Sequence, residues 1–236
     1  MSGNKSVIIA SLFLGAGIAA AGYFVSQTTL NERTGANTAR VKGLSERVVQ
    51  ADTGRWLLSF SSFGRDVTQV TDVFEQTQAK SVRIHDILTA AGFSDDELRF
   101  TPLRKSDYTD RDNEGKIIDR YFLVSGSIQI TTSEPQKIDP ARQPIFDLAK
   151  DGIDVAQDSL RYEYTKLNDI KPDMLREATE NARIAANEFA SNAGVSVGGI
   201  QSASQGGFQI DAHSGSTSAL DKLVRVVTNI TFYLEN

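Results

Sequence analysis

Hydrophobic residues follow several distinct patterns along this chain, and the first is an unbroken apolar run near its start. Val7 to Val25 are nineteen residues without a charge. As a helix they would extend about 28 Å at 1.5 Å per residue, close to the ~30 Å hydrocarbon core of a bilayer. Lys5 precedes the run, so the positive-inside rule places the following residues across the membrane. We predict a signal anchor in residues 1–26, a single-pass transmembrane helix of the inner (cytoplasmic) membrane, with the C-terminal domain in the periplasm.

Two other interpretations of this run stay open. Lys5 and the small residues Ala19 to Ala21 also fit a cleaved signal peptide, which would leave a free periplasmic protein. The apolar run continues past that cleavage site through Tyr23 and Phe24, which favours the longer anchor. A buried helix of a globular domain is the third interpretation, and the absence of a polar face opposes it.

Residues 27–39 are polar and lack periodicity, which predicts a linker before a folded domain at residues 40–236. In the first half of that domain, alternation of apolar and polar residues predicts strands, whereas a spacing of three and four predicts a helix. The predicted helix spans Val67 to Ala91 and stops at Gly92. The predicted strands are Val41–Val49, Arg55–Phe63, Leu98–Lys105 and Ile117–Thr132, and a short helix is predicted at Ile145–Gly152.

The second half repeats the theme with a strand at Arg161–Leu167, a long helix opened by Pro172 and closed by Gly194, and a hairpin. The arms of that hairpin are Ser196–Ile210 and Leu220–Leu234. The predicted inward stripe of the helix is Leu175, Ala178, Ala182, Ala185, Ala186 and Phe189. The order of elements indicates a weak internal duplication, with sub-lobes at about 40–150 and 151–236. The predicted fold class is α+β, with antiparallel sheet or sheets and two long helices packed on one face.

Composition narrows the classes of function. The chain has no cysteine, which excludes disulfides, thiolate metal sites and a cysteine nucleophile. Its net charge of −5 comes from mixed acidic and basic residues, so we expect no nucleic-acid partner. The 40% of hydrophobic residues suffices for a core of one domain, or of two closely joined lobes.

Short motifs in the domain resemble the SIMPL-domain family, which consists mostly of exported bacterial proteins of unknown function. Val41 to Arg47, then Ala51-Asp52 and Trp56, resemble the opening of that family. The later matching positions are Tyr162–Thr165, Ala178, Asn181–Arg183, Ala186, Phe189-Ala190, Gly194, Gly198, Ile200, Ala203 and Gln205-Gly206. The resemblance covers Arg40 to Tyr233.

The resemblance implies a non-enzymatic envelope protein. Relatives include a periplasmic immunogenic antigen that assembles into a hollow ring-like oligomer and a protein linked to oxidative-stress defence. The expected partners are therefore further copies in a homo-oligomer, the membrane through residues 7–25, and an envelope protein. The family has no agreed catalytic set, so the resemblance carries over no catalytic, cofactor-binding or metal-binding residue, and we expect no cofactor.

Few residues of the chain are candidates for catalysis or metal binding. His85 follows the helical pattern beside Asp86 and is predicted to lie at the surface. His213 lies in the turn HSGSTS near Asp211, where either a solvated loop or a serine-based triad fits. Two histidines so far apart in sequence, without cysteine, oppose a zinc site.

A second group of motifs each has a plain structural interpretation. Asp110 to Glu114, followed by Gly115, has oxygen ligands at the spacing of a calcium loop, but the twelfth position is Tyr121 rather than glutamate. A charged hairpin turn is the other interpretation. The glycines between Gly194 and Gly207 lack the pattern of a phosphate loop and predict bulges or close backbone packing. Trp56 is predicted to be core, with an assembly contact as the alternative.

Three hypotheses of function follow. The first is a membrane-anchored, self-assembling scaffold of the cell envelope, which requires exposed apolar or edge-strand surfaces. The second is a monomeric binding module for an envelope protein, peptidoglycan or a small ligand, which requires a groove. The third is an enzyme, in which His213 or the Asp110–Glu114 turn would have to converge with other polar groups.

Overall fold

The computed structural model describes residues 15, 17–24 and 37–235, apart from the side chains of Gln157 and Asp158. Of the predicted anchor, residues 15 and 17–24 are described and are helical, and the rest lies outside the described residues. Residues 27–36 of the predicted linker also lie outside them. Within the described ranges, no helix combines the length and the apolar character needed to cross a membrane.

Strands dominate the described domain. They are β1 (Thr38–Gln50), β2 (Thr53–Gly64), β3 (Leu98–Phe100), β4 (Arg104–Arg111), β5 (Ile117–Thr132), β6 (Val155–Glu163), β7 (Ser196–Gln205), β8 (Gln209–Ala212) and β9 (Asp221–Glu235). The helices are α1 (Val70–Ala90), α2 (Ile138–Asp147) and α3 (Leu167–Asn192). Single 3₁₀ turns occur at Val67–Gln69, Asp95–Glu97, Pro135–Lys137 and Leu148–Asp151. The α+β class with antiparallel sheets is confirmed.

The chain divides into two compact units that interleave in sequence. Of the described residues, those up to 46 together with 171–209 and 225–235 form the first unit, and residues 47–170 and 210–224 form the second. The predicted sub-lobes, 40–150 and 151–236, are by contrast contiguous stretches. The interleaving arises because each unit takes segments from early and late in the chain.

The second unit is built on a five-stranded sheet in the order β3-β5-β2-β6, with β4 also paired to β5. Alternate residues of β2 and β5 are buried, as the period of two predicts. Ile84 and Leu88 of α1 and Ile138 and Ile145 of α2 join the same core. The fully or nearly buried sheet residues there are Trp56, Leu58, Phe60, Ile128 and Ile130. Trp56 is therefore core, as predicted, although its indole Nε1 has no hydrogen-bond partner among the described residues.

Helix α1 confirms the helix that the spacing of three and four predicts. Asp66 caps the 3₁₀ turn Val67–Gln69 that leads into the helix: its carboxylate accepts from Thr68 N at 2.8 Å, while Gln69 Oε1 accepts from Asp66 N at 3.0 Å. The buried stripe is Val73, Thr77, Ser81, Ile84 and Leu88. Gly92 ends the helix with φ +92°, a conformation that glycine adopts without a steric penalty.

Three predicted elements are displaced. The arm predicted at Leu98–Lys105 is split into β3 and β4, because Pro102 lies between them and cannot donate to a sheet ladder. The short helix lies at Ile138–Asp147 rather than Ile145–Gly152, despite two prolines, because Ile138, Ala141 and Ile145 bury one face. The strand predicted at Arg161–Leu167 is β6, at Val155–Glu163.

The sequence prediction also places the start of α3 wrongly, at Pro172. The helix begins at Leu167, so Pro172 lies inside it rather than in its first turn. The Asp52 carboxylate accepts hydrogen bonds from the backbone N–H groups of Thr165 and Lys166, at 3.1 and 3.2 Å. Burial raises the pKa of Asp52, but these bonds and those from the Thr165 and Thr53 hydroxyls outweigh it and lower the pKa. A residue distant in sequence therefore holds the chain just before the helix, which no local pattern reveals.

The four-stranded sheet has the order β1-β9-β7, with β8 also pairing to β9. Strands β7 and β9 are antiparallel, which confirms the pairing of the two arms of the predicted second hairpin. The first arm, predicted as Ser196–Ile210, is broken into β7 and β8, and both pair with β9. Gly198 and Gly199 coincide with a register shift between Val197 and Ile200, as expected for glycines at a bulge. A Cβ at Gly206 would lie 2.9 Å from Val227 O, so this glycine permits a close backbone approach.

Candidate functional site

Strand β7 is an open edge. It ends the strand order β1-β9-β7, so among the described residues one side of its backbone pairs with no strand. Residues 193–208 contain no charged side chain, and residues 199–205 are all exposed. Ile200 is 49% exposed on this strand. Soluble proteins usually protect such edges with charge or proline, so a ten-residue uncharged edge is a template for pairing with another strand.

The same unit exposes apolar residues on α3. Ile184 and Phe189 are 58% and 59% exposed. Phe189 and Ala185 belonged to the predicted inward stripe, and that part of the prediction is wrong. The helix instead buries Met174, Ala178, Ala182, Ala186 and Ala190. Because alanines already cover the sheet, the larger apolar side chains remain at the surface.

The contact between α3 and β1 is unusually close. A Cβ at Gly43 would lie 1.7 Å from Ala178 O and 2.7 Å from Ala182 N, so only glycine fits there. Asn181 Nδ2 donates to Leu44 O at 2.8 Å, and Ser45 Oγ donates to Glu177 Oε2 at 2.9 Å. Backbone, alanine and short polar side chains thus fix the helix on the strand.

A groove in the other unit lies between α1 and the residues that follow β3. It has a volume of about 300 Å³ and is lined by Gln78, Ser81, Val82, His85 and Phe100–Leu103. Val82 and Phe100 supply exposed apolar surface, and the His85 and Phe100 rings lie 5.7 Å apart between centroids. Such a mainly apolar depression with a few polar groups is typical of a small-ligand or peptide site.

His85 is the titratable group of that groove, and it is half-buried rather than fully solvent-facing. Its Nε2 lies 2.8 Å from Asp95 Oδ1, and its Nδ1 lies 3.7 Å from Asp86 Oδ1. The hydrogen bond to Asp95 is the main cause that raises the pKa of His85. The folded protein therefore stabilises the protonated imidazole of His85 relative to the unfolded chain.

His213 does not form the triad that one interpretation required. Ser216 Oγ donates to Asp221 Oδ2 at 2.6 Å, and Ser216 N donates to the backbone oxygen of His213. His213 Nδ1 is buried without a hydrogen-bond partner among the described residues. The loop thus pairs the serine with Asp221, whereas the sequence singled out Asp211.

Asp110 and Arg111 are the last residues of β4, and Asp112 to Glu114 begin the hairpin turn to β5. Asp112 Oδ1 accepts from Glu114 N at 3.0 Å and from Lys116 N at 2.8 Å, so its carboxylate stabilises the turn. The hairpin interpretation is confirmed. In the part of the chain that the structure describes, no group of three or more metal-ligating side chains forms.

The fold is thus an α+β domain of two sheets, each with its own helix layer, and family comparison identifies its class. The family described as SIMPL, protein of unknown function (DUF541), matches residues 39–225. The chain belongs to the SIMPL family. A search of curated protein sequences found no match.

The residues that carry the family resemblance meet in the structure at two places. Gly43, Ser45 and Asn181 lie at the contact of β1 with α3. Asp52 and Thr165 meet at the start of α3. Both contacts position elements of the fold. The open edge of β7 was harder to find from sequence, since only the absence of charge over residues 193–208 signals it.

Proposed function

We propose that this protein is a self-assembling, non-enzymatic scaffold of the cell envelope, held at the inner membrane through residues 7–25 with its domain in the periplasm. The open, uncharged edge of β7 carries the proposal. If the apolar run is instead cleaved as a signal peptide, the same scaffold is a free periplasmic protein. A role in stress defence is part of the proposal only through the resemblance to the family.

Pairing between copies follows from the edge itself. An exposed strand can add to the sheet of a second chain through backbone hydrogen bonds alone. A stable contact buries on the order of 1,000 Å² or more, which exceeds what one strand edge supplies. Ile184 and Phe189 on α3 offer further apolar area in the same unit. We infer a homo-oligomer in which β7 sets the register and α3 adds hydrophobic burial.

The alternative is a monomeric binding module, and the groove beside His85 favours it. Its volume of about 300 Å³ suits a small ligand or a side chain of a partner protein. A binding module needs no contact between copies, so the two proposals predict different particle masses in solution.

Sedimentation equilibrium of the full chain in density-matched polyoxyethylene detergent tests the scaffold. We expect a discrete multimer that persists on dilution. The double variant Ser202→Lys, Ser204→Lys places like charges on the β7 edge and should shift the mass toward monomer. The matched control Gln136→Lys adds an exposed lysine away from any sheet edge and should leave the multimer intact. A native chain that is monomeric at every concentration overturns the scaffold and makes the binding module the leading proposal.

The membrane proposal has its own test. Alkaline extraction of cell membranes should leave the full chain in the membrane fraction, and deletion of residues 7–25 should release it. An intact N-terminal sequence on the mature protein supports the anchor. A mature protein that starts near Tyr23 and is soluble identifies a cleaved signal peptide instead.

A further inference from the structure

The five-stranded sheet has a second face, here called the outer face, opposite the core. On β5 it consists of Tyr121, Leu123, Ser125, Ser127, Gln129 and Thr131, the set that alternates with the buried residues. The residues of β2 and β4 that stand opposite these positions of β5 belong to the outer face as well. Both α1 and α2 contribute their buried residues to the core on the other side, so no helix of this unit covers the outer face among the described residues.

One end of the outer face is aromatic. The Tyr108 and Tyr121 rings are stacked, with centroids 5.2 Å apart and planes 10° from parallel. Phe63 continues the row at 5.5 Å from Tyr121, and Arg65 lies over Phe63 at 5.4 Å. Tyr108 and Phe63 are 43% and 50% exposed. Because aromatic faces attract partly positive C–H groups, this row offers a surface on which a sugar ring can pack.

The middle of the outer face is a depression lined by hydroxyl groups. Its volume is about 710 Å³, and its lining includes Ser59, Thr101, Arg104, Ser125 and Ser127. Thr101 and Ser127 are fixed by mutual bonds, since Ser127 N donates to Thr101 Oγ1 at 2.9 Å and the two hydroxyl oxygens lie 3.1 Å apart. Short hydroxyl side chains around an open depression suit a polyhydroxylated ligand, because each can both donate and accept.

Both signs of charge lie along the same face. Beyond the aromatic end, Asp110 stands opposite Asp119, which Arg65 contacts at 3.2 Å. The positive charges lie toward the middle and the other end. Arg55 stands directly opposite Arg161 across β2 and β6. Like charges in directly opposite positions repel each other and destabilise the strand pair. Glu163 contacts Arg55 at 3.2 Å and balances one of these two charges. The two arginines share a second depression of about 310 Å³ with Gln129 and Ser159. Arg104 adds a further guanidinium beside Ser125.

These three features follow one line along the sheet. From Thr131, in the row of Arg55, to Tyr121, in the row of Tyr108, β5 advances ten residues, or about 34 Å at 3.4 Å per residue. The outer face therefore presents arginines, then hydroxyls and Arg104, then aromatic rings over a length that suits a chain ligand rather than a single small molecule.

We propose that the outer face binds an anionic glycan, a sugar chain with carboxylate or phosphate groups at intervals. The exposed ring of Tyr108, supported from below by Tyr121, packs on a sugar ring. The serine hydroxyls and Thr101 bond sugar hydroxyls, and Arg104 and Arg161 bind the anionic groups. A polyanion with a charge on every residue is disfavoured, because the whole chain carries net charge −5. A sparsely charged sugar chain matches the few separated arginines.

Binding is measured by isothermal titration calorimetry on the full chain in polyoxyethylene detergent, since a detergent with a sugar headgroup would compete. The probe is a β-1,4-linked amino-sugar tetrasaccharide in which every second sugar bears a carboxylate. The uncharged amino-sugar tetrasaccharide and a single-stranded oligouridylate are the comparison ligands. We expect the carboxylated probe to bind most tightly, with the uncharged one roughly tenfold weaker from the loss of a charge-assisted hydrogen bond.

Variants locate the site. Arg104→Ala should weaken binding roughly tenfold and abolish the preference for the carboxylated probe. The control Arg83→Ala removes an exposed arginine of α1 and should leave binding unchanged. Tyr108→Ala should weaken both sugar probes by roughly fivefold through loss of stacking. The control Phe146→Ala, which removes an exposed ring on α2, should leave both affinities unchanged. Melting curves of each variant exclude unfolding as the cause.

Four outcomes overturn the proposal. They are no binding of either sugar probe, equal affinity for charged and uncharged probes, tighter binding of the oligouridylate, or native affinity in both Arg104→Ala and Tyr108→Ala. None of them bears on assembly through β7, which the mass of the protein tests separately.

Discussion

The two helix-on-sheet layers of this protein bury the contact between helix and strands with side chains of very different size. In the five-stranded layer, bulky side chains such as Trp56, Leu58, Ile84 and Leu88 fill the space between α1 and the strands. In the other layer, the alanines of α3 and Gly43 bring two backbones nearly into contact. A layer of large side chains gains its stability from apolar area, whereas a layer of small ones depends on shape and on polar bonds such as Asn181 to Leu44 O.

The comparison predicts that the small-residue layer tolerates no growth. Gly43→Ala forces Ala178 O or the strand to move, so we expect a loss of roughly 3 kcal/mol in the free energy of unfolding. Denaturant unfolding measures it. Gly207→Ala is the matched control, because a Cβ there meets nothing within 4 Å. Equal stability of the two variants would mean that the close approach of α3 to β1 is not a feature of the protein.

The large-residue layer should instead be sensitive to truncation. Leu88 is fully buried on α1, so Leu88→Ala should cost roughly 3 kcal/mol from lost burial and the cavity left behind. Val82→Ala on the same helix removes a side chain that is 51% exposed and should change stability by less than about 0.5 kcal/mol. Thermal and urea unfolding both report the difference, and a Leu88→Ala variant as stable as Val82→Ala would contradict the assigned core.

The polar bonds of the small-residue layer predict a smaller effect. Asn181→Ala leaves Leu44 O without its side-chain donor and should lose about 1 kcal/mol. Asn187→Ala, at an exposed position of the same helix, controls for the change in helix propensity. If both variants unfold at the same denaturant concentration, the bond from Asn181 contributes nothing to the layer.

The smallest expected effect is a pH dependence in the large-residue unit. The pKa of His85 is raised, chiefly by its hydrogen bond to Asp95, so the stabilisation is complete below the unfolded pKa and is lost as pH rises through the folded pKa. Native protein and Asp95→Asn should therefore differ more in stability at pH 5 than at pH 8.5. NMR titration of His85 in both proteins checks the cause. A His85 pKa that does not fall in Asp95→Asn would refute it.

The sequence predicts the parts of the fold that depend on local periodicity. Helix α1 and the alternation of β5 are both confirmed, because burial on one face follows directly from spacing. The start of α3 could not be predicted, because Asp52, far away in sequence, binds the preceding backbone. The inward stripe of α3 was half right, since alanine spacing alone does not show which of two apolar lines faces the sheet.

The candidate sites show the same division. A hairpin at Asp110–Glu114 and a core position for Trp56 follow from local pattern and are confirmed. The outer face also depends on the register of β2 with β5 and with β6, which are distant in sequence. The local hairpin of β4 and β5 brings Tyr108 beside Tyr121, whereas no single segment of sequence shows that Arg55 lies beside Arg161.

The central place of β9 in its sheet has a consequence for how the chain folds. Strands β1 and β7 both flank β9, and Leu234 N donates to Asn37 O, a bond that closes a loop of roughly 200 residues. This sheet cannot form until β9 has emerged, because neither flanking strand has its neighbour before then. A nascent chain therefore lacks this sheet until β9 is available, whereas all five strands of the other sheet lie between residues 53 and 163 and can pair earlier.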